Sequence, residues 1–334
     1  MKEKGSMKER ILDLLRTGGE EPLSGEKISR VLDISRAAVW KHIQALREEG
    51  YEIISRPGVG YSLVTMPDKL YPAEVRAALG EKGFFWEIEY HRVLDSTNNR
   101  AKELAEGGAP EGTLVLAEEQ LGGRGRLGRN WFSPAGKGIY LSFVLRPSLL
   151  PQQLAGITMV TAVGVCQSIL ETTGIRTGIK WPNDLLLEGK KVCGILTEMK
   201  GEMDRVHYVI VGVGINVNGD QEDYPEELRE RATSLARAAG REIARLPLLV
   251  SFLQKFASWY EIFQTKGFSP VRKVWKDLTV TLGKQVTVRS GTEIYIGTAV
   301  DLDEGGALVL QEAGGSCRFL HSGEVTLVKS MEGE

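Results

Sequence analysis

The chain has 334 residues, 42% of them hydrophobic and 26% charged, with a formal net charge of −2. That balance suits a folded protein of two or three domains and excludes both a disordered chain and a polycation, so any nucleic-acid contact must come from a local patch. Three cysteines without a CxxC pair (Cys166, Cys193, Cys317) and four histidines without ligand spacing (His42, His91, His207, His321) argue against a disulfide scaffold or a zinc knuckle.

The N-terminus, MKEKGSMKERILDLL, is charged and then amphipathic, without the apolar core of a signal peptide. No run reaches the ~18 apolar residues of a membrane span, so a cytoplasmic protein with no membrane partner is expected. Ile11, Leu14 and Leu15 form one helical stripe. Ser24 is placed to cap a second helix carrying Ile28 and Val31. Ser35 is placed to cap a third, with Val39, Ile43 and Leu46 at i, i+4 and i+7, and Gly50 ends it. YEIIS and YSLV then read as two strands around the turn RPGVG. Three helices and a hairpin over residues 1–65 is the order of a winged helix-turn-helix. Charge supports DNA binding weakly, since residues 1–66 hold 11 basic and 10 acidic side chains. Placement supports it better: Arg36, Lys41 and Gln44 fall outside the apolar stripe and can face a major groove, and Arg56 at the hairpin turn suits a phosphate or minor-groove contact. One such module reads few bases, so a homodimer on a two-fold operator is expected.

Residues 66–83 read as a linker containing a short helix. Residues 84–278 mix strands (GTLVLAEEQ, GIYLSFVL, RTGIKWPNDLLLEG, KKVCGILTEM, HYVIVGVGINVN) with helices over 151–173 and 247–265. From Thr279 to Glu334 short strands alternate with glycine-rich turns, the pattern of a small SH3-like β-barrel.

The run GRGRLG, Gly123–Gly128, has the G-x-G-x-x-G spacing of a dinucleotide turn, and the strand GTLVLAEEQ precedes it. The helix that such a turn requires is missing: NWFSPAGKG follows, then another strand. What remains is a flexible loop bearing Arg124, Arg126 and Arg129 and no acidic residue. Its glycines allow close approach of backbone N–H groups to a ligand, and its guanidiniums match phosphate oxygens. The loop is expected to close over a phosphorylated or acyl-phosphate species.

DSTN (Asp95–Asn98), EEQLGGRGRLGRNWFSP (Glu118–Pro134), KWPNDLLLEGKKVCGIL (Lys180–Leu196), GVGINVN (Gly212–Asn218) and ATSL (Ala232–Leu235) follow in the order of the biotin protein ligase motifs. The chain resembles that family over nearly its full length. Its N-terminal segment resembles the longer members, in which the ligase is also the biotin operon repressor. The resemblance implies an α+β multidomain protein: a winged helix-turn-helix, a central mixed α/β domain of the class II aminoacyl-tRNA synthetase-like, biotin–lipoate ligase fold, and the C-terminal barrel. It implies ATP, Mg²⁺ and biotin as ligands, and a biotin carboxyl carrier protein, operator DNA and an adenylate-promoted homodimer as partners. Biotin would be activated as biotinyl-5′-adenylate, with ATP yielding AMP and pyrophosphate overall, and passed to a carrier lysine.

Carried over by resemblance, Ser96, Thr97 and Asn98 contact the ureido ring of biotin. Gln120, Arg124, Gly125 and Arg126 contact biotin or the adenylate, with Arg126 holding the activated phosphate. Lys191 touches both the biotin carboxylate and the α-phosphate, and with Arg126 forms the catalytic pair. Lys180 falls near the phosphates, with Asp184 as a candidate for Mg²⁺ or its water shell and Asn183 between them in the same motif; by their own chemistry Arg129, Trp131 and Asn216 are further candidates for the nucleotide. The residues alone leave alternatives: DSTN equally fits a helix N-cap, Asn183–Asp184 an ordinary turn, and Trp131 a core position. A lipoate–protein ligase, or a ligand-sensing repressor without ligase activity, are the alternative functions.

Overall fold

Ser6 opens the first helix: its hydroxyl accepts from the Glu9 amide, while the Glu9 carboxylate accepts from the Ser6 N–H, a capping box. In the computed structural model, which describes residues 6–19, 21–80, 83–85 and 87–328, the chain divides into two units, Met1–Lys69 and Leu70–Glu334. The smaller unit comprises α1 (Met7–Thr17), α2 (Gly25–Leu32), α3 (Arg36–Glu48), β1 (Glu52–Arg56) and β2 (Gly60–Thr65). Ser24 and Ser35 accept from the Lys27 and Ala38 amides and fix the starts of α2 and α3. β1 and β2 pair antiparallel, and Leu23 bridges to Tyr61, completing the winged helix.

Two stripes differ from expectation. α1 buries Ile11, Leu12 and Leu15, and Leu14 lies at the edge. α2 buries Ile28 and Leu32, whereas Val31 is 54% exposed. On α2 Val31 and Leu32 sit about 100° apart and packing selects Leu32; on α1 Leu12 and Leu14 flank the Ile11–Leu15 stripe on opposite sides and packing selects Leu12. Val39, Ile43 and Leu46 are buried on α3 as the spacing predicts.

In the larger unit α4 (Pro72–Leu79) precedes β3 (Ile88–His91), α5 (Thr97–Glu106), β4 (Leu114–Ala117), β5 (Gly138–Leu145) and α6 (Leu154–Thr173). β6 (Gly178–Lys180), β7 (Asp184–Leu187), β8 (Lys190–Gly201) and β9 (Val206–Asn216) follow, then α7 (Glu226–Arg229), α8 (Leu235–Ala239), α9 (Arg245–Lys266) and α10 (Ser269–Leu278). The strands form a seven-stranded sheet in the order β3-β4-β5-β9-β8-β7-β6, parallel only between β3 and β4. α6 and α9 share the large core on one face, and α5 packs Ala101 and Ala105 against Val115, Val144 and Ile210 on the other. Covered twice, β5 is buried at all eight positions. Pro151–Thr173 is apolar and long enough to cross a membrane, contrary to the sequence expectation, but 67% of its apolar window is buried inside the protein.

The segment expected as a linker contributes to this core: Leu70 and Val75 are 1% and 0% exposed. The C-terminal segment forms β10 (Gln285–Ser290), β11 (Glu293–Leu302), β12 (Leu308–Gln311), β13 (Cys317–Leu320) and β14 (Glu324–Leu327), an antiparallel sheet in the order β13-β12-β11-β10-β14. It shares the large core rather than standing apart. Trp181, 1% exposed, donates its backbone N–H to Thr281 Oγ1 at 2.9 Å and its indole N–H to the Gly306 carbonyl at 3.3 Å.

Candidate active site

Three sequence-distant pieces meet on the α5 face of the sheet: the N-terminus of α5, the arginine loop between β4 and β5, and the glycines of β9. Gln120 binds the first two together. Its Oε1 accepts from the Thr97 N–H at 2.8 Å and the Thr97 hydroxyl at 3.1 Å, and its Nε2 donates to Ser133 Oγ at 2.9 Å. Ser142 Oγ on β5 donates to Asn98 Oδ1 at 2.6 Å and lies 2.8 Å from Thr97 Oγ1. Asn98 Nδ2 donates to Glu198 Oε2 at 2.8 Å. Ser96 occupies the N-cap position of α5 without making a cap bond, and its buried hydroxyl has no partner among the described residues. A buried unpaired hydroxyl costs about 1–3 kcal/mol, so this one is available to a ligand rather than serving the helix.

The loop is folded on itself. Trp131 N–H donates to the Gly123 carbonyl at 2.8 Å and Gly125 N–H to the Arg129 carbonyl at 2.7 Å. A side chain at Gly123 would collide with the Trp131 carbonyl. These glycines therefore serve the loop's own closure, and the Gly125 amide, expected to approach a ligand, is used internally. Each arginine fastens the loop to a different wall. Arg124 donates to Glu198 Oε1 at 2.8 Å and Asn99 Oδ1 at 2.9 Å. Arg126 donates to Asn183 Oδ1 at 2.9 Å and the Gly323 carbonyl at 3.3 Å. Arg129 pairs with Glu324 of the C-terminal sheet, and that pairing holds the Glu324 carboxyl below the usual carboxylate range.

Gly212 and Gly214 of β9 line a small cavity and also make room for other parts of the protein. A side chain at Gly212 would run into the Asn98 amide, and one at Gly214 into the Trp131 indole. Trp131 thus lies on the sheet, its indole N–H buried without a partner among the described residues. Lys191 Nζ sits 5.2 Å from the centre of that ring and 2.7 Å from Asp184 Oδ1. Backbone bonds hold Lys191 in place: its N–H donates to the Arg231 carbonyl at 2.8 Å and its carbonyl accepts from Thr233 N–H at 3.0 Å. The ATSL segment is therefore a strap on Lys191. Asn216 Nδ2 braces it through the Thr233 carbonyl at 3.1 Å. Lys190 faces outward, near Glu230.

Two adjoining cavities result. The smaller, about 40 Å³, is lined by Ser96, Thr97, Asn98, Gln120, Arg124, Gly212 and Gly214. The larger, about 620 Å³, is lined by Arg129, Lys180, Asp184, Asn216, Arg231 and Glu324. Gly125, Arg126, Trp131, Asn183 and Lys191 line both. Every biotin and nucleotide residue singled out in the sequence lines one of them. Glu198, Ser142, Ser133 and Glu324 carry little sequence signal: the first three lie in or beside strands of the motif region, and Glu324 lies in the C-terminal sheet, outside every motif. Burial pushes the Lys180 ammonium and the Arg126 guanidinium below their ordinary values, with Asp184 opposing both. A cation-rich cavity with depressed basicity is suited to anionic oxygens, while the smaller cavity offers neutral donors and acceptors. No group of three metal-ligating side chains occurs among the described residues. In the smaller unit Arg36, Lys41 and Arg56 are exposed and Gln44 is half-buried. Trp40, not anticipated, is 58% exposed beside them on α3.

A cavity of neutral polar groups thus adjoins a cation-rich one, the arrangement that an acyl-activating ligase requires. Residues 90–216 match the Biotin/lipoate A/B protein ligase family, residues 8–62 an HTH domain, and residues 281–328 the Biotin protein ligase C terminal domain. The bifunctional ligase/repressor BirA of Bacillus subtilis is 45% identical over 280 residues, 84% of this chain and 86% of that protein. Its Escherichia coli counterpart is 31% identical over 281 residues, 83% and 84% of the two chains. The biotin protein ligase from Aquifex aeolicus in complex with biotin and ATP superposes with a TM-score of 0.64 at 32% identity, covering 74% of this chain and 100% of that one. The chain belongs to the biotin protein ligase family.

Proposed function

We propose that this protein is an ATP-dependent biotin–protein ligase that also represses transcription in response to biotin. The observation that carries the ligase reading is the position of Lys191, shared by the neutral and the cationic cavity. A biotin whose ureido head meets Ser96, Thr97 and Asn98 would direct its carboxylate toward that ammonium. A carboxylate oxygen attacks the α-phosphorus of ATP, and the bond to pyrophosphate breaks. Lys191 offsets the repulsion between the two anions, and Arg126 takes the charge that develops on the phosphoryl oxygens. A carrier lysine then attacks the acyl carbon, the bond to AMP breaks, and the amine loses a proton. Asn183, Lys180, Arg129 and Asn216 would hold the nucleotide. Mg²⁺ keeps most of its waters and binds through phosphates and one or two carboxylates. Asp184 fits as one such carboxylate, and Mg²⁺ there would neutralise phosphate charge.

The winged helix would place Arg36, Lys41 and Gln44 in a major groove and Arg56 on the backbone of operator DNA. β8 pairs with β7 only as far as Gly194, which leaves the outer edge of Leu196–Gly201 open. A second copy of the chain, recruited once the adenylate is bound, and the carrier domain would compete for that edge. Cytoplasm, the compartment of ATP and acyl carriers, suits three cysteines that are all free.

Incubation with ATP, Mg²⁺, biotin and a biotin carboxyl carrier domain, followed by intact mass measurement, tests the ligase. A gain of one biotinyl group is expected; no gain, or a gain with lipoate instead, overturns the reading. Sedimentation with and without biotin and ATP tests the dimer, and a monomer under both conditions counts against it.

A further inference from the structure

Arg245 is among the largest side chains fully buried in the protein, at 1% exposure, and takes no part in either cavity. It opens α9, where a cation opposes the positive end of the helix dipole. Its partner Glu118 is equally buried, with Nη1 2.9 Å from Oε2. A buried ion pair contributes little net stability compared with apolar packing of the same volume. Helix stability and core stability are thus both poorly served by this residue, and its connections suggest another use.

The same Nη1 donates to the Gly138 carbonyl at 3.1 Å. Glu118 immediately precedes the arginine loop and Gly138 begins the strand after it. One buried nitrogen therefore holds both ends of the segment that carries Gln120, Arg124, Arg126, Arg129 and Trp131. Glu118 closes the base further, since its carbonyl accepts from Gly136 N–H at 3.2 Å. Gln120 ties the loop to Thr97 near this base, and the ties made by its arginines lie at its far side on partly exposed side chains. The base is thus held by a buried ion pair, and the tip is fastened by arginine bonds that solvent can compete for.

We propose that Arg245 and Glu118 are positioning residues that clamp the two ends of the ligand loop and set how long it retains the acyl-adenylate. This rests on the ligase reading above for its functional half and on the loop geometry alone for its structural half. Binding energy from a loop whose ends are fixed is not spent on ordering those ends. Loosening them should therefore speed escape of the intermediate and leave the chemistry at Lys191 intact.

The test uses the full chain with Glu118→Gln and Arg245→Gln combined, which removes both charges at once and leaves neither buried unpaired. Arg245→Lys is the conservative control. Hydrogen–deuterium exchange without ligand should show the Gln120 and Gly136 amides exchanging at least tenfold faster in the double variant, with α6 unchanged. The half-life of bound adenylate after removal of free biotin should shorten at least tenfold, while biotin-dependent ATP–pyrophosphate exchange stays within threefold of wild type. Arg245→Lys should restore both within threefold. Unchanged loop protection overturns the clamp, and so does a uniform loss of protection that Arg245→Lys does not relieve. If the wild-type protein forms no adenylate, the ligase reading fails, and the exchange measurement still decides the clamp.

Discussion

Replacing Lys191 with alanine separates catalysis from stability. In the free protein Nζ lies 2.7 Å from Asp184 Oδ1 and 5.2 Å from the Trp131 ring centre, and the Lys191 side chain is 33% exposed. An ion pair at that exposure contributes about 1 kcal/mol or less, and a cation–π contact about 0.5–1 kcal/mol. The variant should lose about 1–2 kcal/mol in all, a fall in Tm of about 1–3 °C for a chain of this size. The backbone bonds to Arg231 and Thr233 survive the change, so the strand stays in place. A preorganised charge aimed at charge that forms only in the transition state is worth about 3–4 kcal/mol, a factor of roughly 10²–10³ in rate. Biotin-dependent ATP–pyrophosphate exchange should therefore fall at least a hundredfold at saturating substrates, while circular dichroism shows a folded protein. Exchange within tenfold of wild type would refute the role, because no arrangement that places this ammonium between two reacting anions predicts so small an effect.

Arg126→Gly removes the bonds to Asn183 and Gly323 and should release activated biotin, so that lysines of a bystander protein become labelled by mass spectrometry; labelling confined to the carrier lysine contradicts this. Gly214→Ala drives a methyl into the Trp131 indole, an overpacking that costs about 1–3 kcal/mol. Its KM for biotin should rise about tenfold, and an unchanged KM and Tm would show that the indole does not press on the sheet. Burial lowers the Lys180 pKa, so between that lowered value and about 10.4 the unfolded chain binds more protons than the folded one. Wild-type stability should therefore gain as pH rises through this window, relative to Lys180→Met. The variant should match or exceed the wild-type Tm at neutral pH, lose that advantage toward pH 10, and fail to form adenylate; an advantage that grows with pH excludes a buried cation at this position.

Periodicity exposed the winged helix because each of its helices is short, capped by serine and striped on one side. It could not choose between Leu12 and Leu14, which flank the Ile11–Leu15 stripe on opposite sides, or between the adjacent Val31 and Leu32, because packing alone selects one of each. The ligand-facing side chains were legible as motifs because each is carried by a short, compositionally unusual run. Their supports were not. Asn98 and Glu198 are separated by 100 positions, and Arg245 and Glu118 by 127; nothing local marks either acid as different from a solvated one. The glycines show the limit most clearly. Two glycines in one strand say only that something comes close to β9. The occupants turn out to be the protein's own Asn98 and Trp131. A glycine records only the volume it leaves free, so the chemistry of what enters that volume becomes visible when the strand, helix and loop are brought together.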